Sequence, residues 1–204
     1  MKNKETGRSM VEMLGVLAII GVLSAGALAG YSKAMFRHKV NQTIEIFQGA
    51  LQRLAELEQT GWGKDKSIDV NNAVQYGFLK ECKKASISGW PEVCQLPIGN
   101  FYMWFYDNGA YVYGQFHVFF TDSKSCVAFS SAPWKEAIPT EWWYYPENSD
   151  SGGYWSISNQ TNGGESIYDP VEGKTEVTME NIITGCQGCS SNEPCDFYLV
   201  VRLD

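Results

Sequence analysis

Gly7-Arg8-Ser9-Met10-Val11-Glu12-Met13-Leu14-Gly15-Val16-Leu17-Ala18-Ile19-Ile20 sets one carboxylate at the mouth of a long apolar run, behind a short polar leader that ends in glycine. From Met13 to Tyr31 no side chain carries a full charge. At about 1.5 Å per residue this stretch makes a helix of roughly 28 Å, close to the hydrocarbon thickness of a bilayer. It is long enough to span a membrane. A carboxylate at the edge of such a run costs up to about 2.5 to 3.5 kcal/mol if drawn to the helix centre, so a plain anchor has no use for Glu12.

Other readings compete. A secretory signal peptide has a basic start and a small-residue cleavage site after its apolar core, and Ser24-Ala25-Gly26-Ala27 offers one. A water-soluble core helix fits less well, because the run is apolar on every face rather than along one stripe.

These residues resemble the class III signal of type IV pilins and type II secretion pseudopilins. In that family a short charged leader ends in Gly, a prepilin peptidase cuts after it on the cytoplasmic side, and a Glu stands fifth in the mature chain. Gly7 matches the glycine, Arg8 becomes the new N-terminus, and Glu12 falls fifth. The apolar block Met13 to Gly30 matches the family's membrane and assembly helix. Arg8 stands where the family usually has Phe or Met, and no proline interrupts the block.

The resemblance implies a structural subunit of a type IV pilus or secretion pseudopilus, cleaved after Gly7, N-methylated and polymerised through its N-terminal helix. It implies as partners other pilin or pseudopilin subunits, prepilin peptidase, an inner-membrane assembly platform and membrane lipid. Cleavage frees an amine beside Gly7, and that positive group can pair with Glu12 of a neighbouring subunit in an apolar environment. Gly26 and Gly30 form a small-xxx-small spacing that lets helices approach closely. The positive-inside count is tied, with Lys2, Lys4 and Arg8 before the span and Lys33, Arg37 and Lys39 after it. The leader therefore sets the orientation: a single pass through the bacterial inner membrane with the N-terminus cytoplasmic, the rest reaching the periplasm or an extracellular filament. The alternative role is a minor tip pilin acting as an adhesin, or a tethered binding domain that never polymerises.

Past the apolar block the pattern becomes amphipathic without a break. Val40, Ile44, Phe47, Leu51, Leu54 and Leu57 recur at steps of four and three, while Lys39, Glu45, Gln48, Gln52, Arg53, Glu56 and Glu58 lie largely off that stripe. One helix from about Met10 to Gln59 is expected, stopped by Thr60-Gly61-Trp62-Gly63. The remainder reads as one domain, mainly strands. A short helix is expected over Val70 to Glu81 with Asp69 as cap. Phe101 to Tyr106 and Ala110 to Phe120 read as a hairpin about Asp107-Asn108-Gly109. Further strands are expected at Cys126 to Ser130, Tyr154 to Ser158, Thr175 to Met179 and Phe197 to Leu203. The fold class is α+β, pilin-like: a long N-terminal helix, membrane-spanning then amphipathic, packed on an antiparallel sheet. The expected divisions are a leader at 1–7, a transmembrane and assembly helix at 8–31, its amphipathic half at 32–60, and an exported disulfide-bonded domain at 61–204.

All six cysteines, Cys82, Cys94, Cys126, Cys186, Cys189 and Cys195, follow the apolar segment, which favours disulfides in an oxidising compartment. Six cysteines allow 15 pairings. The preferred set joins Cys82 to Cys94, Cys126 to one of the C-terminal three, and the other two to each other. Cys186-Gln187-Gly188-Cys189 also has the form of a redox or zinc pair, though a second ligand pair at suitable spacing is missing. Tyr145 to Asp169 is rich in Asn, Ser, Gly and acidic groups and reads as loop. Asp150, Asn159, Asn162, Glu165 and Asp169 offer the oxygen ligands calcium takes, and some pseudopilins hold calcium in such a loop. EF-hand spacing is missing, so no cofactor is expected.

His38 and His117 lie far apart and no phosphate loop or HExxH occurs, so no enzyme is expected. His117 alternates with Phe116 and Val118 and reads as surface exposed. Net charge is −7; without the leader the chain carries 14 basic and 22 acidic side chains, or −8. Such a domain repels phosphate backbones, so nucleic acid is not an expected partner. Trp134, Trp142, Trp143, Tyr144, Tyr145 and Trp155 suit either a contact surface for a subunit or glycan, or buried sheet packing.

Overall fold

The computed structural model describes residues 8–60, 68–87, 89–107, 112–138, 142, 153–158, 165–170 and 172–203. Helix α1 runs unbroken from Arg8 to Gln59. The chain divides into two compact units, Met1–Lys39 and Val40–Asp204, so α1 contributes to both. Thr60 closes the helix, its Oγ1 donating to the Leu57 carbonyl at 2.7 Å.

In the second unit one antiparallel sheet carries all eight described strands: β1 (Ile68–Asp69), β2 (Lys84–Ala85), β3 (Val93–Gln95), β4 (Asn100–Asp107), β5 (Val112–Phe120), β6 (Tyr154–Ser158), β7 (Glu165–Tyr168) and β8 (Cys195–Leu203). Their order is β2-β3-β4-β5-β8-β6-β7, with β1 pairing to β4. Strand β5 is central: Asn100 to Asp107 lie opposite Phe119 to Val112 on one side, and Cys195 to Leu203 opposite Phe120 to Val112 on the other. Because side chains alternate across a strand, Phe101, Met103, Phe105, Phe116, Val118, Phe197 and Leu199 share one face.

That inner face is covered by the later half of α1. Val40, Phe47, Leu51, Leu54 and Leu57 are buried and Ile44 is half-buried, while Lys39, Glu45, Gln48, Gln52 and Glu56 are exposed and Arg53 is half-buried. Phe47 has no exposed surface, and its ring centroid lies 5.0 to 6.1 Å from those of Phe101, Phe116, Phe129, Trp134 and Phe197. Each such side chain removed from water contributes about 1.5 to 3 kcal/mol. Two polar contacts fix the helix further: the Ile98 amide donates to the buried Thr43 Oγ1 at 3.1 Å, and Arg53 Nε to the Tyr76 carbonyl at 2.8 Å.

Three expectations are corrected. Cys126 to Ser130 belongs to helix α2 (Ser123–Ser130), whose N-cap Asp122 accepts from the Ser125 amide at 2.8 Å. Ser125, Cys126, Phe129 and Ser130 are its buried residues, a helical spacing that an apolar run of this length conceals. Thr175 to Thr178 forms no strand; Thr178 caps helix α4 (Met179–Gly185) through its side chain. The helix expected to reach Glu81 is a single 3₁₀ turn, Val70–Asn72, with Asp69 as its cap. Gly77 takes φ +81, and the Phe78 amide turns back to the Ala73 carbonyl at 2.8 Å, which ends the helical run. Helix α3 (Trp134–Ala137) and strand β7, which lies in the stretch read as loop, complete the described elements. The turn at Asn108 and Gly109 lies outside the described residues.

Candidate functional site: an exposed apolar helix and a disulfide cluster

Helix α1 carries four glycines, Gly15, Gly21, Gly26 and Gly30, among strong helix formers such as leucine, methionine and alanine. What is unusual is where the apolar side chains go. Met10, Leu14, Val22 and Leu28 are 66 to 74% exposed, and none of the most apolar window of this helix is buried. A Cβ placed on Gly26 or Gly30 would meet nothing within 4 Å. The chain therefore presents a continuous apolar cylinder whose close-approach positions are open. Water is a poor solvent for such a surface. Glu12 lies on this cylinder and lines a shallow recess with Met13, Val16 and Leu17. Arg8 opens the helix, while Gly7 lies outside the described residues.

In the second unit the cysteines form three bridges: Cys82–Cys94, Cys126–Cys186 and Cys189–Cys195. The first closes the loop between β2 and β3. The second ties α2 to the C-cap of α4, and the third ties the following turn to the start of β8. Cys186 and Cys189 thus belong to different bridges rather than forming one redox pair or a zinc knuckle. Of the oxygen ligands considered for calcium, Asp150, Asn159 and Asn162 lie outside the described residues. Asp169 is buried and accepts from the Glu172 amide at 3.1 Å, the work of a turn.

His117 is a further correction to the sequence reading: it is 5% exposed, and its Nδ1 stands 2.9 Å from Asp196 Oδ2. Trp90, at 4.5 Å between ring centroids, and Tyr198, at 4.4 Å, lie against the imidazole. The outer face of the sheet thus has its own aromatic layer, and alternation alone gave no sign that it would be covered. Burial pushes the Asp196 carboxyl above its ordinary range, and the His117 hydrogen bond and charge draw it part of the way back. Trp134, Trp142 and Trp155 are almost fully buried, so these three act in packing; Trp143, Tyr144 and Tyr145 lie outside the described residues. A cavity of about 500 Å³ opens between Ser130–Glu136, Trp155 and the segment Thr175–Met179 with Ile182.

An unbroken helix that is apolar all round at its start and amphipathic where it meets an antiparallel sheet is the α+β arrangement of a pilin-like protein. In sequence the chain is similar to fimbrial proteins. The chain is 31% identical over 87 residues to a type IV major fimbrial protein FimA of Dichelobacter nodosus, an alignment covering 39% of this chain and 54% of the relative. With FimA of strain VCS1703A it shares 27% over 92 residues, 45% of this chain and 57% of the relative. A further FimA from that organism is 33% identical over 73 residues, 36% of this chain and 44% of the relative. The chain spans about half the length of these curated relatives. These similarities are to type IV fimbrial proteins, each over part of its length. No protein-family model and no solved structure matches it.

Proposed function

We propose that this chain is a structural subunit of a type IV pilus or secretion pseudopilus, made as a precursor, cleaved after Gly7 and polymerised through the N-terminal half of α1. The observation that carries this reading is the exposed apolar cylinder from Met10 to Tyr31, in the same helix that packs by its amphipathic part on the sheet. Similarity to fimbrial proteins supports a structural rather than an enzymatic role. In this reading the cylinder has two successive solvents: the lipid of the inner membrane, where the subunit waits with its N-terminus cytoplasmic, and the packed helices of other subunits. Prepilin peptidase and an inner-membrane platform are the partners of processing and assembly.

Glu12 gives the transfer between those solvents its selectivity. A carboxylate in apolar surroundings is costly, and an amine freed at Arg8 of a neighbouring subunit offsets that cost only when the two helices dock in register. Gly26 and Gly30 let backbones approach at the docking face. Glu12→Ala is therefore expected to leave the protein in the membrane fraction and to remove it from sheared filaments, measured by immunoblot of both fractions beside wild type. Filament incorporation unchanged by the substitution would favour a membrane-tethered binding domain instead.

A further inference from the structure

Two of the three disulfides meet. The Sγ atoms of Cys126, Cys189 and Cys195 all lie within 4.8 Å of one another, and Cys186 is bonded to the first of them. Four sulfurs from two bridges therefore share one cluster, with Cys82–Cys94 closing a different part of the sheet. The segment Cys186-Gln187-Gly188-Cys189 supplies one sulfur to each bridge, and it turns back on itself because Gly188 takes φ +76, a conformation glycine alone adopts freely. This turn sets Cys189 Sγ 3.0 Å from the carbonyl oxygen of Cys186. Access is unequal: Cys126, Cys186 and Cys195 have no exposed surface, while Cys189 is half-buried.

We infer that this cluster is a thiol-operated exchange site, which an external thiolate switches between two pairings. The thiolate, from a small-molecule thiol or a thiol–disulfide exchange protein, attacks Sγ of Cys189, the half-buried residue of the four. The Cys189–Cys195 bond breaks and its electron pair leaves on Cys195. The Cys195 thiolate attacks Cys126 Sγ, within 4.8 Å, and the Cys126–Cys186 bond breaks with its pair on Cys186. The Cys186 thiolate then attacks Cys189 in the mixed disulfide, closes a Cys186–Cys189 bridge within the turn, and expels the original thiolate. Two bridges are broken and two are formed, with no net oxidation and the thiol returned unchanged.

The exchange changes what is tied to what. Before it, Cys126–Cys186 fastens α4 to α2; after it, Cys126–Cys195 fastens α2 to β8, and α4 has no covalent link to α2. Met179 and Ile182 of α4 form one wall of the 500 Å³ cavity, and Ser130 of α2 forms part of another. The bridge that moves is therefore a latch on that cavity.

The test uses the full-length protein in detergent, held in reduced glutathione with a smaller amount of its disulfide at pH 8, quenched with acid and mapped by digestion and fragmentation mass spectrometry. The expected result is that Cys126–Cys195 and Cys186–Cys189 appear together in equal amounts, matching the loss of Cys126–Cys186, while Cys82–Cys94 is unchanged. Persistence of the three original bridges alone, or scrambling that draws in Cys82 or Cys94, would overturn the inference. In a C189S/C195S variant, glutathione is expected to leave Cys126–Cys186 closed. If the variant fails to fold, the wild-type time course decides: glutathione must appear on Cys189 before the new bridges form, and its first appearance on any other cysteine contradicts the route.

Discussion

Asp196 shows how a side chain on the sheet's outer face acquires a chemistry of its own. Its Oδ2 meets His117 at 2.9 Å, while Oδ1 is buried with no hydrogen-bond partner among the described residues. Burial raises the carboxyl's pKa above its ordinary value of 3.8. A folded state with a raised carboxyl pKa binds more protons than the unfolded chain in the window between the two values. The stability it contributes is full below the ordinary carboxylate value and is lost as pH rises through the raised one. Asp196→Asn removes this titration, so wild-type stability should fall more steeply than the variant's as pH rises from about 4 through that window. Urea denaturation followed by tryptophan fluorescence at a series of pH values measures the difference, and parallel pH profiles would refute it. The sequence hid this pair because Asp196 and His117 are 79 residues apart and meet only through the antiparallel register of β5 and β8. The Trp90 ring that lies against His117 arrives from a loop closed by Cys82 and Cys94.

At the scale of elements, long patterned segments could be read from the residues and short ones could not. In α1 the stripe from Val40 to Leu57 repeats often enough for its period to be unmistakable, and β4, β5 and β8 carry sustained aromatic and β-branched runs. Helices α2 and α4 have eight and seven residues, too few for a period to separate from a strand's alternation. Their caps were the better signal. Asp122 and Thr178 each stand just before the helix and accept from a backbone amide three residues on. Asp122→Ala is expected to cost about 1 kcal/mol. Asp122→Asn, which keeps an acceptor, is expected to cost only a fraction of that. A shift in denaturation midpoint at unchanged slope would record it. A destabilisation equal in both variants would show that the carboxylate acts by charge rather than as a cap.

Across the whole molecule, one 52-residue helix is read by two environments. Its amphipathic part obeys the usual rule of a surface helix, apolar toward the sheet and charged toward water. Its N-terminal part breaks that rule, since apolar residues face outward on all sides. A violation sustained over six turns specifies a non-aqueous neighbour, and this much follows from the sequence with no structure at all. The proposed roles of Gly7, Arg8 and Glu12 rest on resemblance alone, because cleavage and assembly would leave no geometry within a single chain. The role proposed for this segment is that of a processed assembly helix. Its most direct test is the N-terminal mass of the membrane-extracted protein, expressed with and without a prepilin peptidase. A peptidase-dependent product that begins at Arg8 and carries one added methyl group is expected. An intact Met1 in the presence of the peptidase, or a cut near Ala25 to Ala27, would contradict it.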